Sequence, residues 1–175
     1  MRKKKLFASL IGATCIAYGL FATYALTTQD IEGLLVCADK GDLVIPFPKP
    51  LCRAYLFTFR GTERDIAALH QGIGASFVTQ GASSIEEREQ IMRFLIDKGL
   101  RIDHPDMHQG TPLHAAVIAN AANEVGLLLR AGARTDIRDR RFGLTPLELA
   151  RKLEQEGAAG ADRQAVISLL QQEPK

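Results

Sequence analysis

The sequence lacks the motifs that mark common catalytic and cofactor-binding sites. It contains no Gly-x-Ser-x-Gly nucleophile motif, no glycine-rich phosphate-binding loop and no paired cysteine motif with zinc spacing. These absences disfavour serine hydrolases, nucleotide-dependent enzymes and zinc modules. We therefore expect no enzymatic activity and no cofactor.

Only one group of residues has the composition of a metal site. His104 and His108 lie close to Asp103 and Asp106 in the sequence. Pro105 interrupts their spacing, and the group falls in a turn rather than on a helix, where residues i and i+4 would align. We interpret the group as a solvated turn tip and expect no metal ion there.

An excess of basic charge is also lacking outside the N-terminus. Four of the 22 basic residues lie within Arg2–Lys5, and the remaining 18 face 20 acidic residues, which leaves a net charge of −2. Bulk charge therefore gives no support to nucleic-acid binding. The chain beyond the N-terminal segment has about 145 residues, which is enough for one folded core.

An apolar run follows the basic N-terminus. Residues 6–29 carry no charge, and the apolar part, Leu6–Leu26, has 21 residues. A secretory signal has an apolar region of about 7–15 residues, whereas a spanning helix needs about 20. Length thus favours a transmembrane anchor within residues 1–28, and a signal peptide cleaved after Ala25 is the alternative. In either case the positive-inside rule places the rest of the chain on the non-cytoplasmic side.

Cysteine is scarce, and only Cys37 and Cys52 lie outside the apolar run. In an oxidising compartment a disulfide between them would stabilise the fold by roughly 3 kcal/mol in the loop-entropy model. We predict this disulfide, and a pair of buried thiols is the alternative.

Residues 29–62 are assigned to an N-terminal capping region. Prolines at positions 46, 48 and 50 disfavour a helix there and predict an extended loop or an edge. The segment 54–59 that follows suits either a short strand or the first turn of a capping helix.

The most informative feature that is present is an internal repeat. Residues 106–116 read Asp-Met-His-Gln-Gly-Thr-Pro-Leu-His-Ala-Ala, and residues 139–150 read Asp-Arg-Arg-Phe-Gly-Leu-Thr-Pro-Leu-Glu-Leu-Ala. The two copies begin 33 residues apart, and residues 90–99 and 123–132 align at the same spacing. This period indicates a solenoid, in which each unit buries its apolar face against its neighbours.

The repeated motifs resemble the ankyrin repeat. The second unit contains Thr-Pro-Leu-His at 111–114 and Leu-Leu-Leu-Arg-Ala-Gly-Ala at 127–133, and the resemblance covers roughly residues 86–170. It implies an all-α fold, in which a short ankyrin-repeat solenoid follows the apolar leader. We place the repeat domain at 63–175 and its three helix-turn-helix units, with caps, at about 63–103, 104–136 and 137–172.

The resemblance also implies structural roles for single residues. Thr111 is expected to cap a helix that begins at Pro112, and His114 to form a structural hydrogen bond near the Thr hydroxyl. Gly132 follows a helix that ends in Arg, as expected for a left-handed helix stop.

The two ends of the array depart from the repeat pattern. Glu148 replaces His in the last copy, and the polar helix after it, with a second helix at 163–172, predicts a C-terminal cap. Upstream, the apolar spacing predicts a helix over Glu63–Leu69, extending to Phe77 at the longest.

Candidate partner-binding residues lie where the two copies differ. In ankyrin arrays the turn tips and the exposed faces of the first helices form a concave binding surface. Arginine beside an aromatic residue is typical of interface hot spots, and here it would suit an acidic partner; a solvated turn with Arg–Asp pairs is the alternative. The candidates are two turn tips and one helix residue: Met107, His108, Gln109, Arg138, Arg140, Arg141, Phe142 and Ile118.

The resemblance implies a protein-binding domain with one protein partner. A basic leader before a short, simple array is typical of small exported bacterial proteins. We expect an immunity protein that binds and neutralises a secreted, type VI-like toxin effector on the periplasmic side of the inner membrane, or in the soluble periplasm if the leader is cleaved. The alternative is an accessory or scaffold factor for an envelope enzyme, such as one in oxidative-stress defence.

Overall fold

The computed structural model describes residues 2–41, 43, 48–72, 74–106, 109–157 and 162–172, with side chains from residue 12 onward. Within these ranges all regular secondary structure is helical, which confirms the predicted all-α class. The chain divides into two compact units, Met1–Phe59 and Arg60–Lys175.

The described helices run in the following order: α1 Arg2–Thr27, α2 Ile31–Lys40, α3 Pro48–Phe59, α4 Glu63–Gln71, α5 Ser76–Thr79, α6 Ile85–Asp97, α7 Pro112–Ile118, α8 Ala122–Arg130, α9 Pro146–Gln155 and α10 Gln164–Gln172.

The first unit contains α1 and the packed pair α2 and α3. Among the residues described, no helix combines the length and hydropathy that crossing a membrane requires, so the transmembrane anchor expected from the sequence is not confirmed. Asp30 caps the start of α2, where its carboxylate accepts the amide hydrogen of Gly33 at 2.6 Å, and Gly41 caps the end with φ of 80°.

The predicted disulfide between Cys37 and Cys52 is present and joins α2 to α3. The Cα atoms of the two cysteines are 5.8 Å apart, and both residues are buried. The bond therefore ties the only two helices of this unit that pack closely together within the described residues.

The expectation of an extended segment around the prolines is wrong from Pro48 onward, because α3 begins there. The first-turn amides of a helix have no intrahelical acceptor, so Pro48 and Pro50 remove no helical hydrogen bond. Residues 54–59 are accordingly helical, and the strand alternative is wrong. Pro46 lies outside the described residues.

In the compact unit Arg60–Lys175, successive helix pairs stack as a solenoid. The first helices of consecutive pairs, α7 and α9, pack side by side, and so do the second helices, α8 and α10. Their apolar faces form one core that includes Leu113, Leu128 and Val166, each fully buried. This arrangement buries, in each repeat, the apolar face that a single helix pair would leave exposed.

The helix predicted over Glu63–Leu69 is confirmed. It is α4, which ends at Gln71 and does not reach the longest predicted bound, Phe77. Gly74 lies just beyond it at φ of 56°, and the four-residue helix α5 that follows packs against both α6 and α7.

The predicted helix starts and stops are confirmed. Thr111 and Thr145 each form a capping box with the residue three positions later, and a proline follows each threonine. Gly99 and Gly132 follow α6 and α8 with φ of 105° and 91°, which is the left-handed region that glycine adopts without strain.

Candidate functional site

Two turn hairpins project beside α7, and each is organised by an aspartate. The carboxylate of Asp139 accepts hydrogen bonds from the amides of Phe142 at 3.0 Å and Leu144 at 2.9 Å. Burial favours a raised pKa for Asp139, but these amide bonds outweigh it, so its pKa lies below the ordinary value. The charged carboxylate therefore holds the second hairpin closed from inside.

The first hairpin has a related frame. The amide of Gln109 donates to the carbonyl of Asp106 at 2.9 Å, and the amide of Asp106 donates to the carbonyl of Gly110 at 2.9 Å. The hairpins are joined, because the amide of Arg140 donates to the carbonyl of Gln109 at 3.0 Å. Two tips that are 31 positions apart in sequence thus form one edge.

His114 connects the second repeat, at about 104–136, to the third, at about 137–172. Its Nδ1 accepts the amide hydrogen of Thr111 at 3.2 Å, so the proton lies on Nε2, which donates to the carbonyl of Leu144 at 3.0 Å. The Thr111 hydroxyl lies 2.8 Å from Nδ1. His114 is buried and has the structural role that the resemblance implies.

The arginines of the second hairpin differ in what they contact. Arg138 forms two hydrogen bonds with the Glu148 carboxylate, at 2.7 and 3.0 Å, and one with the carbonyl of Gly143 at 2.7 Å. Arg138 therefore braces its own hairpin. Arg140 and Arg141 are exposed, and no side-chain ion pair forms at either within the described chain.

Phe142 lies at the tip of the second hairpin and is 49% exposed. The guanidinium carbon of Arg141 is 5.0 Å from its ring centroid, and the Lys152 ammonium is 5.4 Å from the same centroid. Both distances are within the range of cation–π attraction. Two cations thus lie against the ring, while half of its surface remains open.

A cavity of about 340 Å³ separates the hairpins from α7. Its lining comes from α7, both hairpins and α9: His114, Ala115, Ile118, Ala119, Asp106, Gly110, Asp139, Arg141, Phe142 and Leu149. Ile118 is 54% exposed. We call this cavity and its exposed rim the groove.

The groove brings together three of the residues singled out from the sequence, Ile118, Arg141 and Phe142. Gln109 is exposed on the adjacent hairpin with φ of 66°, and Arg140 is exposed beside it. Met107 and His108 lie outside the described residues.

Two residues near the groove are missed by sequence reasoning. Lys152 belongs to the polar helix α9, and only the fold brings it to Phe142. Arg163 is 1% exposed and donates to the carbonyls of Val117 at 2.5 Å and Ile118 at 3.3 Å. The sequence gives no signal for this contact, because it spans more than 40 positions and joins a loop residue to a helix end.

The metal-like group at the first turn is described only in part, because His108 lies outside the described residues. The ring of His104 stacks on that of His70 with centroids 4.6 Å apart, and Nε2 of His70 accepts the amide hydrogen of Arg101 at 3.0 Å. Burial, with His104 and Arg101 nearby, lowers the pKa of His70. In the searched, described residues no three His, Cys, Asp or Glu side chains converge as metal ligands would.

One comparison with known proteins gives a match. The family model for the ankyrin repeat matches residues 108–140, from the first hairpin through α7 and α8 to the second hairpin. No curated protein matches the chain. The matched segment carries most of the groove.

Proposed function

We propose that the unit Arg60–Lys175, in which the ankyrin-repeat model matches residues 108–140, is a non-enzymatic domain that binds one protein partner through the groove. The observation that carries this proposal is the pair of exposed apolar side chains, Ile118 and Phe142, that line one cavity. Large apolar side chains exposed together around a concave surface are typical of protein-binding sites.

The groove is also suited to binding because its frame is fixed without a partner. Asp139 closes the second hairpin, and His114 joins that hairpin to the Thr111 cap. A preorganised site loses little conformational entropy on binding, so more of the contact energy appears as affinity. Covering the open half of Phe142 would contribute about 1 kcal/mol from apolar burial.

We further propose that the partner is a secreted toxin and that the protein is an immunity protein of the bacterial envelope. A compact binding domain suits a one-to-one inhibitor, which needs an interface of about 800 Å² on each side. The buried Cys37–Cys52 disulfide supports an oxidising compartment such as the periplasm. The basic, apolar N-terminus agrees with export to that compartment.

Affinity capture with the exported, full-length protein tests partner binding. Phe142→Ala and Arg140→Glu should lose the captured protein, whereas Arg64→Glu, an exposed charge reversal on α4, should retain it. Circular dichroism at 222 nm should give the same thermal midpoint for all three variants. Capture that persists with both Phe142→Ala and Arg140→Glu would show that the second hairpin does not bind the partner, and Ile118 and the residues around it would be tested next.

A second experiment separates an inhibitor from an accessory factor. The captured protein is expressed in the periplasm with and without the ankyrin-repeat protein, and cell growth is followed. Relief of toxicity by the wild type, but not by Phe142→Ala, supports immunity. A captured enzyme that is harmless, and whose activity rises on binding, would instead support the accessory role. Replacing Leu6–Leu26 by an unrelated export signal should leave an inhibitor active but abolish a membrane scaffold.

A further inference from the structure

We propose that the groove selects a partner segment in which one large apolar side chain is flanked by carboxylates. This inference rests on the proposed function and specifies the chemistry of the partner. The apolar side chain enters the cavity between Ile118 and Phe142, and the flanking carboxylates bind the cations of the rim, Arg141 and Lys152.

The apolar part of the argument comes from the walls of the cavity. Ala115, and Ala119 just beyond the end of α7, are small and line the same cavity as Ile118, so they leave space for an incoming side chain. Phe142 also lines the cavity, and half of its ring surface is exposed. An aliphatic or aromatic side chain placed here would contact apolar atoms of both Ile118 and Phe142 and would displace water from them.

The charged part comes from which cations are already paired. Arg130, Arg134 and Arg138 each have a carboxylate within 3.4 Å. Across the described residues no such partner stands against Arg141, and the Lys152 ammonium is 4.0 Å from the Glu156 carboxylate, the longest of the described ion pairs. Positive charge is therefore left unneutralised at the rim of the groove.

The carboxylates of Asp106 and Asp139 line the same cavity, and exposed carboxylates would favour a basic ligand instead. The Asp139 carboxylate is 7% exposed as a residue and accepts two amide hydrogens of its own hairpin. Asp106 accepts the amide of Gly110 at 3.4 Å within the other hairpin. Both carboxylates are thus bonded to the backbone of their own hairpins and neither is exposed, whereas Arg141 and Lys152 are exposed to solvent.

Phe142 links the two halves of this recognition. Because Arg141 and Lys152 lie 5.0 and 5.4 Å from its ring centroid, a carboxylate that pairs with either cation is adjacent to the cavity entrance. A ligand that offers charge without the apolar side chain, or the reverse, engages only half of the site. Selectivity follows from requiring both.

The test is a selection from a random 12-residue peptide library displayed on phage. The library is panned on the immobilised full-length protein, and binders to the Phe142→Ala protein are removed first. Enriched peptides should combine Asp or Glu with a Leu, Ile, Phe or Met within two or three positions. Enrichment of Lys- or Arg-rich peptides, or no enrichment over the Phe142→Ala protein, would overturn the proposal.

The enriched peptides are then synthesised, and their affinities are measured by fluorescence anisotropy. Arg141→Glu and Lys152→Glu should each weaken binding about tenfold, because they place like charges together, while Arg64→Glu leaves it unchanged. A peptide with its acids replaced by Lys should bind the double variant Arg141→Glu/Lys152→Glu better than the wild type. Equal affinity of both peptides for both proteins would refute the charge argument.

The outcomes distinguish this inference from the proposed function. If a protein is captured through Phe142 but its affinity does not change with Arg141→Glu, the partner chemistry is wrong and the binding function stands. If neither a protein nor a peptide depends on Phe142, both proposals fail.

Discussion

Arg163 gives the sharpest stability prediction, because a charged side chain is buried away from any carboxylate described in the structure. Its guanidinium donates to the carbonyls of Val117 and Ile118, at the C-terminal end of α7. Those carbonyls belong to the last turn, where helices leave their acceptors unpaired. Arg163 thus serves as a side-chain cap for the helix that presents Ile118 to the groove.

Replacing Arg163 by Ala removes both hydrogen bonds and leaves a cavity in a fully buried position. Truncating a buried side chain of this length costs about 2–5 kcal/mol. The lost hydrogen bonds from a charged donor cost about 1.5–3 kcal/mol more. Part of this cost is offset, because the variant no longer has to remove a charge from water. The Nε atom of Arg163 has no described partner, so part of the desolvation cost is already uncompensated. We expect a net loss of about 3 kcal/mol for Arg163→Ala.

Arg163→Met is the matched control, since it retains an unbranched chain and removes the buried charge. The carbonyl of Val117 still accepts the amide of Asn120 at 3.1 Å, which leaves chiefly the Ile118 carbonyl without a partner. We expect a loss of about 1 kcal/mol, because the volume is filled and the desolvation cost disappears.

Urea unfolding followed by circular dichroism at 222 nm measures both variants. With a slope of about 1–2 kcal/mol per molar urea for a unit of this size, Arg163→Ala should lower the midpoint by about 2 M. Tyrosine fluorescence serves as an internal reference, because all three tyrosines lie in the unit Met1–Phe59. A midpoint for Arg163→Met equal to that of the wild type would refute the capping argument, and a shift for Arg163→Ala no larger than that for the exposed change Gln171→Ala would show that the buried contact contributes nothing to stability.

Three further predictions concern other parts of the chain. Gly132→Ala should cost about 1 kcal/mol because φ is 91° there, whereas Gly126→Ala, inside α8, should add about 0.5–1 kcal/mol of stability; urea midpoints moving in the same direction would contradict this. Because the pKa of His70 is lowered on folding, its contribution is present above about pH 6.5 and is lost as pH falls through the folded-state pKa. The urea midpoint should therefore drop between pH 7.5 and 5 by more in the wild type than in His70→Gln. Reducing the Cys37–Cys52 bond should destabilise the first unit by about 3 kcal/mol, and an unchanged tyrosine fluorescence transition would contradict that.

The repeat domain is readable from the sequence because its signals are local. A threonine followed by proline marks a helix start, and a cation shortly before a glycine marks a helix end, so the starts of α7 and α9 and the end of α8 follow from neighbouring residues. The disulfide follows from cysteine count and spacing. Each of these features depends on few residues that are close in sequence.

The remaining features depend on contacts between distant residues. Pro48 and Pro50 discourage a helix everywhere except in its first turn, and the sequence does not show where that turn begins. The contact between Lys152 and Phe142 requires the packing of α9 beneath the hairpin. Arg163 reaches Val117 only after the chain has closed the last helix pair.

The substitution of Glu148 for the expected histidine explains why the groove lies between the last two units. In the second repeat, Nε2 of His114 donates a hydrogen bond to the carbonyl of Leu144 and so joins α7 to the second hairpin. In the third repeat, the Glu148 carboxylate instead accepts the amide hydrogen of Thr145 and both hydrogen bonds from Arg138 of its own hairpin. The amide of Thr145 and the guanidinium of Arg138 lower the pKa of Glu148, so this link is charged near neutral pH.

This change of partner has a consequence for the binding surface. A link that points forward positions the following hairpin, whereas the Glu148 link stiffens the hairpin that carries Arg140, Arg141 and Phe142. Arg138 is used in that brace, which leaves the other two arginines of the turn free for a partner. The same replacement thus ends the forward series of hydrogen bonds and stiffens the second hairpin, so the candidate site lies where the repeat pattern changes at the C-terminal end of the array.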